Sequence, residues 1–256
     1  MTRVAMVQLA IEATESVPDR VSRALSMTAN AASDADLVVL PEAWPTGAFD
    51  AALGVEHAQT LDGPLVAQLS EVAARTQTWL HGGSFIELAG DDEYFNTSVV
   101  FNPQGDLVGV YRKIHLFGFD AAEAALMTAG HEVVVIDTPL GPTGLATCYD
   151  LRFPELFRGF VDQGATAVLV ASGWPSKRIS RWSLLAAARS CENQMWFVGC
   201  NEVGTHGGAE LGGRSVITDP WGDVVAEGGT DESIVIAEID PGLPAEVRAG
   251  FPVLRD

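Results

Sequence analysis

Two stretches of this chain, Leu37-Val38-Val39-Leu40 and Ala167-Val168-Leu169-Val170-Ala171, are apolar at every position. A strand with one wet face alternates apolar and polar residues, so an unbroken apolar run bounded by turn residues marks a strand buried on both faces. Such a strand needs a packed layer on each side of its sheet. The rest of the chain must therefore supply those layers.

The surrounding pattern does so. A strand over residues 3–9 precedes a helix whose apolar positions include Val21, Leu25 and Ala29, and the first apolar run follows. Gly63-Pro64 then opens a helix running to about Thr76, since proline suits the first helical turn. Strands are expected at 79–87, 95–101 and 107–112, with Asn102-Pro103-Gln104-Gly105 as a hairpin-like turn. After a loop of glycine, phenylalanine and alanine come strands at 132–138 and 144–148. In the second half, helices at 154–163 and 179–192 alternate with strands at 167–171 and 195–201, and short strands near 213–218, 223–227 and 233–239 follow. Helices alternating with strands, plus hairpins, give an α/β fold of stacked sheets with helices on the outer faces.

The chain has 256 residues, 47% of them hydrophobic, which suits one large domain spanning 1–256. Its tail, about 240–256, reads as too irregular for a core element and is expected to cover a neighbouring subunit. No apolar run is long enough to span a bilayer, and the N-terminus runs into a strand rather than a signal-peptide pattern. Three cysteines, Cys148, Cys191 and Cys200, form no C-x-x-C pair or disulfide framework, so a reducing, cytoplasmic setting is expected. A net charge of −19 argues against nucleic-acid and anionic-membrane partners. His57, His81, His115, His131 and His206 show no metal-ligand spacing, and neither metal nor cofactor is expected. Among 15 basic residues only Lys113 and Lys177 are lysines.

One of those lysines stands at a telling place. Glu42, Lys113 and Cys148 each lie at or just past the end of an expected strand, where sheet scaffolds commonly carry their sites. A thiol becomes a strong nucleophile when a nearby base or cation helps it lose its proton. Lys113 would favour thiolate and stabilise an oxyanion, together with the backbone N–H of Tyr149. Glu42 would take the thiol proton, pass it to departing ammonia, and then activate water. Taken singly, each residue has a plainer reading as a core cysteine or a solvated loop charge. Cys191 and Cys200, inside helix and strand patterns, fit that plainer reading.

The local sequences resemble three motifs of the nitrilase superfamily of carbon–nitrogen hydrolases, in the family's order. They are Leu40-Pro41-Glu42-Ala43-Trp44-Pro45-Thr46-Gly47, Tyr111-Arg112-Lys113-Ile114-His115-Leu116-Phe117, and Cys148-Tyr149-Asp150-Leu151-Arg152-Phe153-Pro154-Glu155-Leu156. Ala187-Ala188-Arg189 and Glu192-Asn193-Gln194 add to the likeness, although Ser190-Cys191 replaces the usual alanine-isoleucine. The resemblance implies a four-layer αββα sandwich, a Glu42–Lys113–Cys148 triad, and a homodimer or higher homo-oligomer. It also implies a second carboxylate, matched by Glu123, that holds Lys113 or the substrate amide. Arg152 then reads either as a structural partner of Glu155 or as a planar fork for a substrate carboxylate. Trp174 reads as pocket wall or as packing, and the basic cluster Lys177, Arg178 and Arg181 as a solvated helix face by default or, as the lesser alternative, as a group that steers a substrate carboxylate.

Within the family, Tyr149-Asp150 after the cysteine looks like the amidase and carbamoylase branches rather than the nitrilase branch. Ala171-Ser172-Gly173-Trp174-Pro175, Trp182 and Asn201-Glu202-Val203-Gly204 most resemble the bacterial omega-amidase-like group. The expected activity is hydrolysis of a small linear amide to carboxylate and ammonia through a Cys148 thioester. An omega-amide of a dicarboxylic acid, such as 2-oxoglutaramate, is the favoured substrate. The alternatives are an N-carbamoyl amino acid hydrolase or a nitrilase using the same triad, or, from another class, a redox-sensing thiol protein.

Overall fold

A computed structural model describes residues 1–90, 92–118 and 122–255. Phe119, Asp120 and Ala121 of the expected loop, and Asp256 of the tail, lie outside the described residues. In chain order the first half comprises β1 (Thr2–Gln8), β2 (Ala10–Glu12), α1 (Val17–Ala32), β3 (Leu37–Val39), α2 (Ala51–Glu56) and α3 (Pro64–Thr76). The hairpins β4 (Trp79–Leu88), β5 (Tyr94–Phe101) and β6 (Leu107–Arg112) follow, then α4 (Glu123–Leu126), β7 (Val135–Thr138) and β8 (Gly141–Thr147). Next come α5 (Pro154–Asp162), β9 (Ala167–Ala171), α6 (Ile179–Asn193), β10 (Trp196–Cys200), β11 (Val203–His206) and β12 (Ala209–Gly212). The chain closes with β13 (Val216–Thr218), β14 (Val224–Glu227), β15 (Ser233–Ile239) and α7 (Leu243–Gly250).

Two six-stranded mixed sheets result, in the orders β15-β1-β3-β4-β5-β6 and β14-β13-β10-β9-β8-β7. Each is built around three parallel strands, β1, β3 and β4 in one and β8, β9 and β10 in the other. The all-apolar runs are explained by what each face meets. Leu37 and Val39 point between the sheets, together with Met6, Leu145, Leu169 and Val198. Val38 and Leu40 point outward against α1 and α3, and Val168 and Val170 outward against α5 and α6. The order of layers is αββα, as expected.

Three differences have physical causes. On α1 the fully buried positions are Arg20, Ala24, Thr28 and Ala31, while Val21, Leu25 and Ala29 are only partly buried. Small residues let the helix approach the sheet, and Arg20 is held by the carbonyls of Pro45 and Glu12 at 3.0 and 2.6 Å. The tail is not wholly irregular, since α7 buries Pro244 and Val247. Arg248 on that helix donates to the carbonyls of Ala165, Asn193 and Gln194, so this part of the tail covers its own chain. Finally, β2, β11 and β12 form a third, three-stranded sheet that no expected strand anticipated.

Candidate active site

The site begins with an irregularity in β4. Its register with β5 shifts between His81 and Ser84, and Gly83 sits at φ +65°. A Cβ on Gly83 would lie 2.1 Å from the Pro41 carbonyl, so only glycine fits there. The bulge clasps the turn after β3 by three hydrogen bonds: Ser84 N–H to the Pro41 carbonyl (3.1 Å), Ala43 N–H to Ser84 Oγ (2.8 Å), and the Trp44 indole to the Gly82 carbonyl (2.9 Å). Glu42 is thereby fixed at the carboxyl end of β3.

Lys113 leaves β6 with its N–H on the Asn96 carbonyl at 2.9 Å. Its Nζ donates to Glu42 Oε1 at 2.7 Å and to Glu123 Oε2 at 2.8 Å. Asn96 reinforces the pair, donating from Nδ2 to Glu42 Oε1 (3.0 Å) and Glu123 Oε1 (2.7 Å). Two backbone amides complete the set, Gly173 N–H to Glu42 Oε2 at 3.0 Å and Phe117 N–H to Glu123 Oε2 at 2.9 Å. Cys148 directly follows β8 at φ +45°, a left-handed conformation that costs a non-glycine residue roughly 1–3 kcal/mol and is typical of functional turns.

Asp150 locks the cysteine turn onto the lysine segment. Its carboxylate accepts from Thr147 N–H (2.9 Å), the Tyr111 hydroxyl (2.7 Å) and His115 N–H (3.0 Å), and lies 2.7 Å from His115 Nδ1. The His115 ring in turn stacks on Phe153, 3.6 Å between centroids. This network explains why an aspartate follows the cysteine by two residues and a histidine follows the lysine by two.

Burial and charge set the protonation states. Burial raises the Glu42 carboxyl, against the pull of Lys113 and with the added push of Glu123. Lys113 is held well above its ordinary value; burial opposes its charge, but Glu123 and Glu42 outweigh that. The Cys148 thiol is pushed well up, chiefly by burial and then by the charge of Glu42, with Lys113 acting the other way. The resting thiol is therefore neutral, and attack requires a base to accept its proton.

Glu42, Lys113, Glu123, Cys148, Tyr149, Arg152 and Trp174 all line one pocket with about 370 Å³ of empty space, part of it open to solvent. Arg152 makes no ion pair with Glu155 among the described residues; its guanidinium lies over the Trp174 ring at 5.0 Å. Trp174 is wall and packing at once, lining the pocket while touching Trp182. The unusual Ser190-Cys191 pair is away from the pocket: Ser190 bonds Thr218 at 2.6 Å and Cys191 is exposed. Neither Cys191 nor Cys200 is among the pocket residues, so no resolving thiol faces Cys148 there.

Sequence reasoning missed Asn96 and Gly173. Arg178, read by default as solvated helix face, instead lines the pocket, with its guanidinium 5.4 Å over the Phe117 ring. Its carbonyl also accepts from the Trp174 indole at 2.9 Å. A signal existed for Arg178 in the basic cluster Lys177, Arg178 and Arg181, set in a very acidic chain. Asn96 had none, because an asparagine in a strand reads as outward-facing until the sheet pairing is known.

Comparison with known proteins agrees with this geometry. Residues 3–249 match the sequence profile described as carbon-nitrogen hydrolase. The 2-oxoglutaramate amidase of Paenarthrobacter nicotinovorans is 40% identical over 99% of this chain and 88% of its own length. Omega-amidase NIT2 of Homo sapiens is 34% identical over 99% of this chain and 94% of its own. The crystal structure of Saccharomyces cerevisiae Nit3, described as a member of branch 10 of the nitrilase superfamily, superposes with a TM-score of 0.89. It is 31% identical and covers 98% of this chain and 94% of its own. With the motifs, the αββα layers and the full-length match in agreement, the chain belongs to the carbon–nitrogen hydrolase family, the nitrilase superfamily.

Proposed function

We propose that this enzyme hydrolyses the terminal amide of a small dicarboxylic acid monoamide, with 2-oxoglutaramate the favoured substrate, through a thioester on Cys148. The observation that carries the proposal is one pocket holding Cys148, the Glu42–Lys113–Glu123 cluster, and two arginines with no acidic partner among the described residues. The names of the Paenarthrobacter and human relatives support the same substrate class.

In this scheme Cys148 Sγ attacks the amide carbon while its proton passes to Glu42. The oxyanion is met by the remaining N–H of Lys113 and the backbone N–H of Tyr149, and Glu123 and Asn96 hold the lysine in place. Collapse breaks the C–N bond as Glu42 returns the proton to ammonia. Water then attacks the thioester, Glu42 accepts its proton, and the thiol is restored as the carboxylate leaves. Trp174 walls the acyl chain, and the guanidiniums of Arg152 and Arg178 take the carboxylate at its far end.

Ammonia release from 2-oxoglutaramate and from an N-carbamoyl amino acid separates the two nearest activities. Efficient turnover of the first and little of the second is expected. Carbamoyl turnover without amide turnover would refute the substrate assignment and leave the thiol chemistry standing. We also place the protein in a reducing compartment as a homodimer. Its three cysteines are unpaired, and exposed Leu184, Trp221 and Phe251 lie on α6 and segments near it. Light scattering that returned a monomer mass would refute the dimer.

A further inference from the structure

Glu202, between β10 and β11, is fully buried, and neither of its carboxyl oxygens has a hydrogen-bond partner among the described residues. An unpaired buried polar group of this kind costs stability and calls for an explanation. Its position is specific. A Cβ added to Gly173 would lie 2.7 Å from Glu202 Oε2 and 2.4 Å from the Ala48 Cβ. Gly173 is also the residue whose N–H holds Glu42 Oε2. Both Gly173 and Ala48 line the pocket, so the carboxyl sits directly beneath the pocket wall, on the far side of the residue that anchors Glu42.

The chain on both sides of Glu202 is held in place. Asn201 before it is tied to Trp174 and to the Gly213 carbonyl, and Val203 after it donates to the Leu9 carbonyl. The charged and titratable groups acting on this region are Glu42 beyond Gly173, Arg20 from α1, and the Cys200 thiol at the end of β10. Arg20 offers little compensation, because its donors are committed to Glu15, Pro45 and Glu12. A carboxylate here would face the charge of Glu42 with only the Ala48 backbone amide near it, and burial followed by that repulsion favours the acid form.

We propose that Glu202 is a pH-sensitive brake on the reaction, silent as the neutral acid behind Gly173, and that losing its proton places a charge behind Glu42 that stops turnover. The mechanism is electrostatic. Ionised Glu202 would raise the proton affinity of Glu42, so that Glu42 holds the proton it takes from Cys148 instead of giving it to the departing amine. The inference rests on Glu42 acting as the base, which a separate Glu42→Gln variant tests by losing amide turnover at every pH.

The test compares wild type with Glu202→Gln, which has the same shape and cannot ionise, and with Glu202→Leu, which removes the unpaired oxygens. The Gln variant is expected to keep its KM and, at neutral pH, a kcat within about two-fold of wild type. Its alkaline limb moves upward, so that where wild type has lost nine-tenths of its activity the variant keeps at least half. In infrared difference spectra, the carbonyl band of a protonated buried acid present in wild type should be missing from the variant. The Leu variant should melt no lower than wild type and show the same alkaline shift. A purely structural role predicts a lower melting temperature and an unmoved pH profile. Identical alkaline limbs in wild type and the Gln variant, or no lost carbonyl band, would overturn the proposal.

Discussion

At the scale of single residues, the site is a set of buried charges that hold one another. Among the described residues Lys113 is the one cation between Glu42 and Glu123, and Asn96 gives one N–H to each carboxylate. Hydrogen bonds to charged groups are worth about 1.5–3 kcal/mol each, so the amide does more than fill space. Asn96→Ala should lower kcat roughly 10- to 100-fold while leaving KM nearly unchanged, because Asn96 orients Glu42 and lies away from the substrate carboxylate. Steady-state ammonia release checks this. A change confined to KM would show that Asn96 serves binding instead.

At the scale of elements, the turn after β8 and the segment after β6 come from different sheets, and Asp150 joins them. Replacing it by asparagine sets an NH₂ group against donors that now meet a carboxylate oxygen. Asp150→Asn is expected to lower stability by roughly 3 kcal/mol, read as a urea midpoint, with activity falling as the Cys148 turn loosens. If the midpoint is unchanged, the network around His115 and Tyr111 is not what holds the turn.

Elements also show how much was legible before folding. The strands β3 and β9 could be read because burial on both faces leaves an unbroken apolar signal. β2, β11 and β12 could not, being three or four residues long and rich in glycine and charge, with pairings that join residue 10 to residue 203. The helix α7 was missed for a related reason, since only Pro244 and Val247 of its eight residues are buried. Within the site, Glu42, Lys113 and Cys148 carry recognisable neighbours, and Glu123 matches the second carboxylate that the resemblance implies. Asn96, Gly173 and Arg178 acquire their places only when β5 pairs with β4 and when the turn after β9 folds beside the turn after β3.

At the scale of the whole molecule, two sheets face each other and bury a titratable group between them. His81 stands in register with Val39 and Val100, which belong to the inter-sheet core, and burial pushes its imidazole down to about 4. Below its ordinary value of 6.5, the unfolded chain takes up a proton that the folded chain refuses. The stability contributed by neutral His81 is thus fully present above pH 6.5 and is lost as pH falls toward 4. The full loss is about 3 kcal/mol. Urea midpoints measured across this window should fall in wild type and fall less in His81→Gln. Equal slopes would mean that other groups, His206 among them, carry the acid sensitivity.

The account as a whole depends on Cys148 forming the acyl bond. The most direct measurement is the intact mass of enzyme quenched during turnover of 2-oxoglutaramate, followed by peptide mapping. A mass increase equal to the acyl group, placed on the peptide containing Cys148 and absent from Cys148→Ala, is the result expected. An acyl group mapped to another side chain, or wild-type turnover by Cys148→Ala, would contradict it.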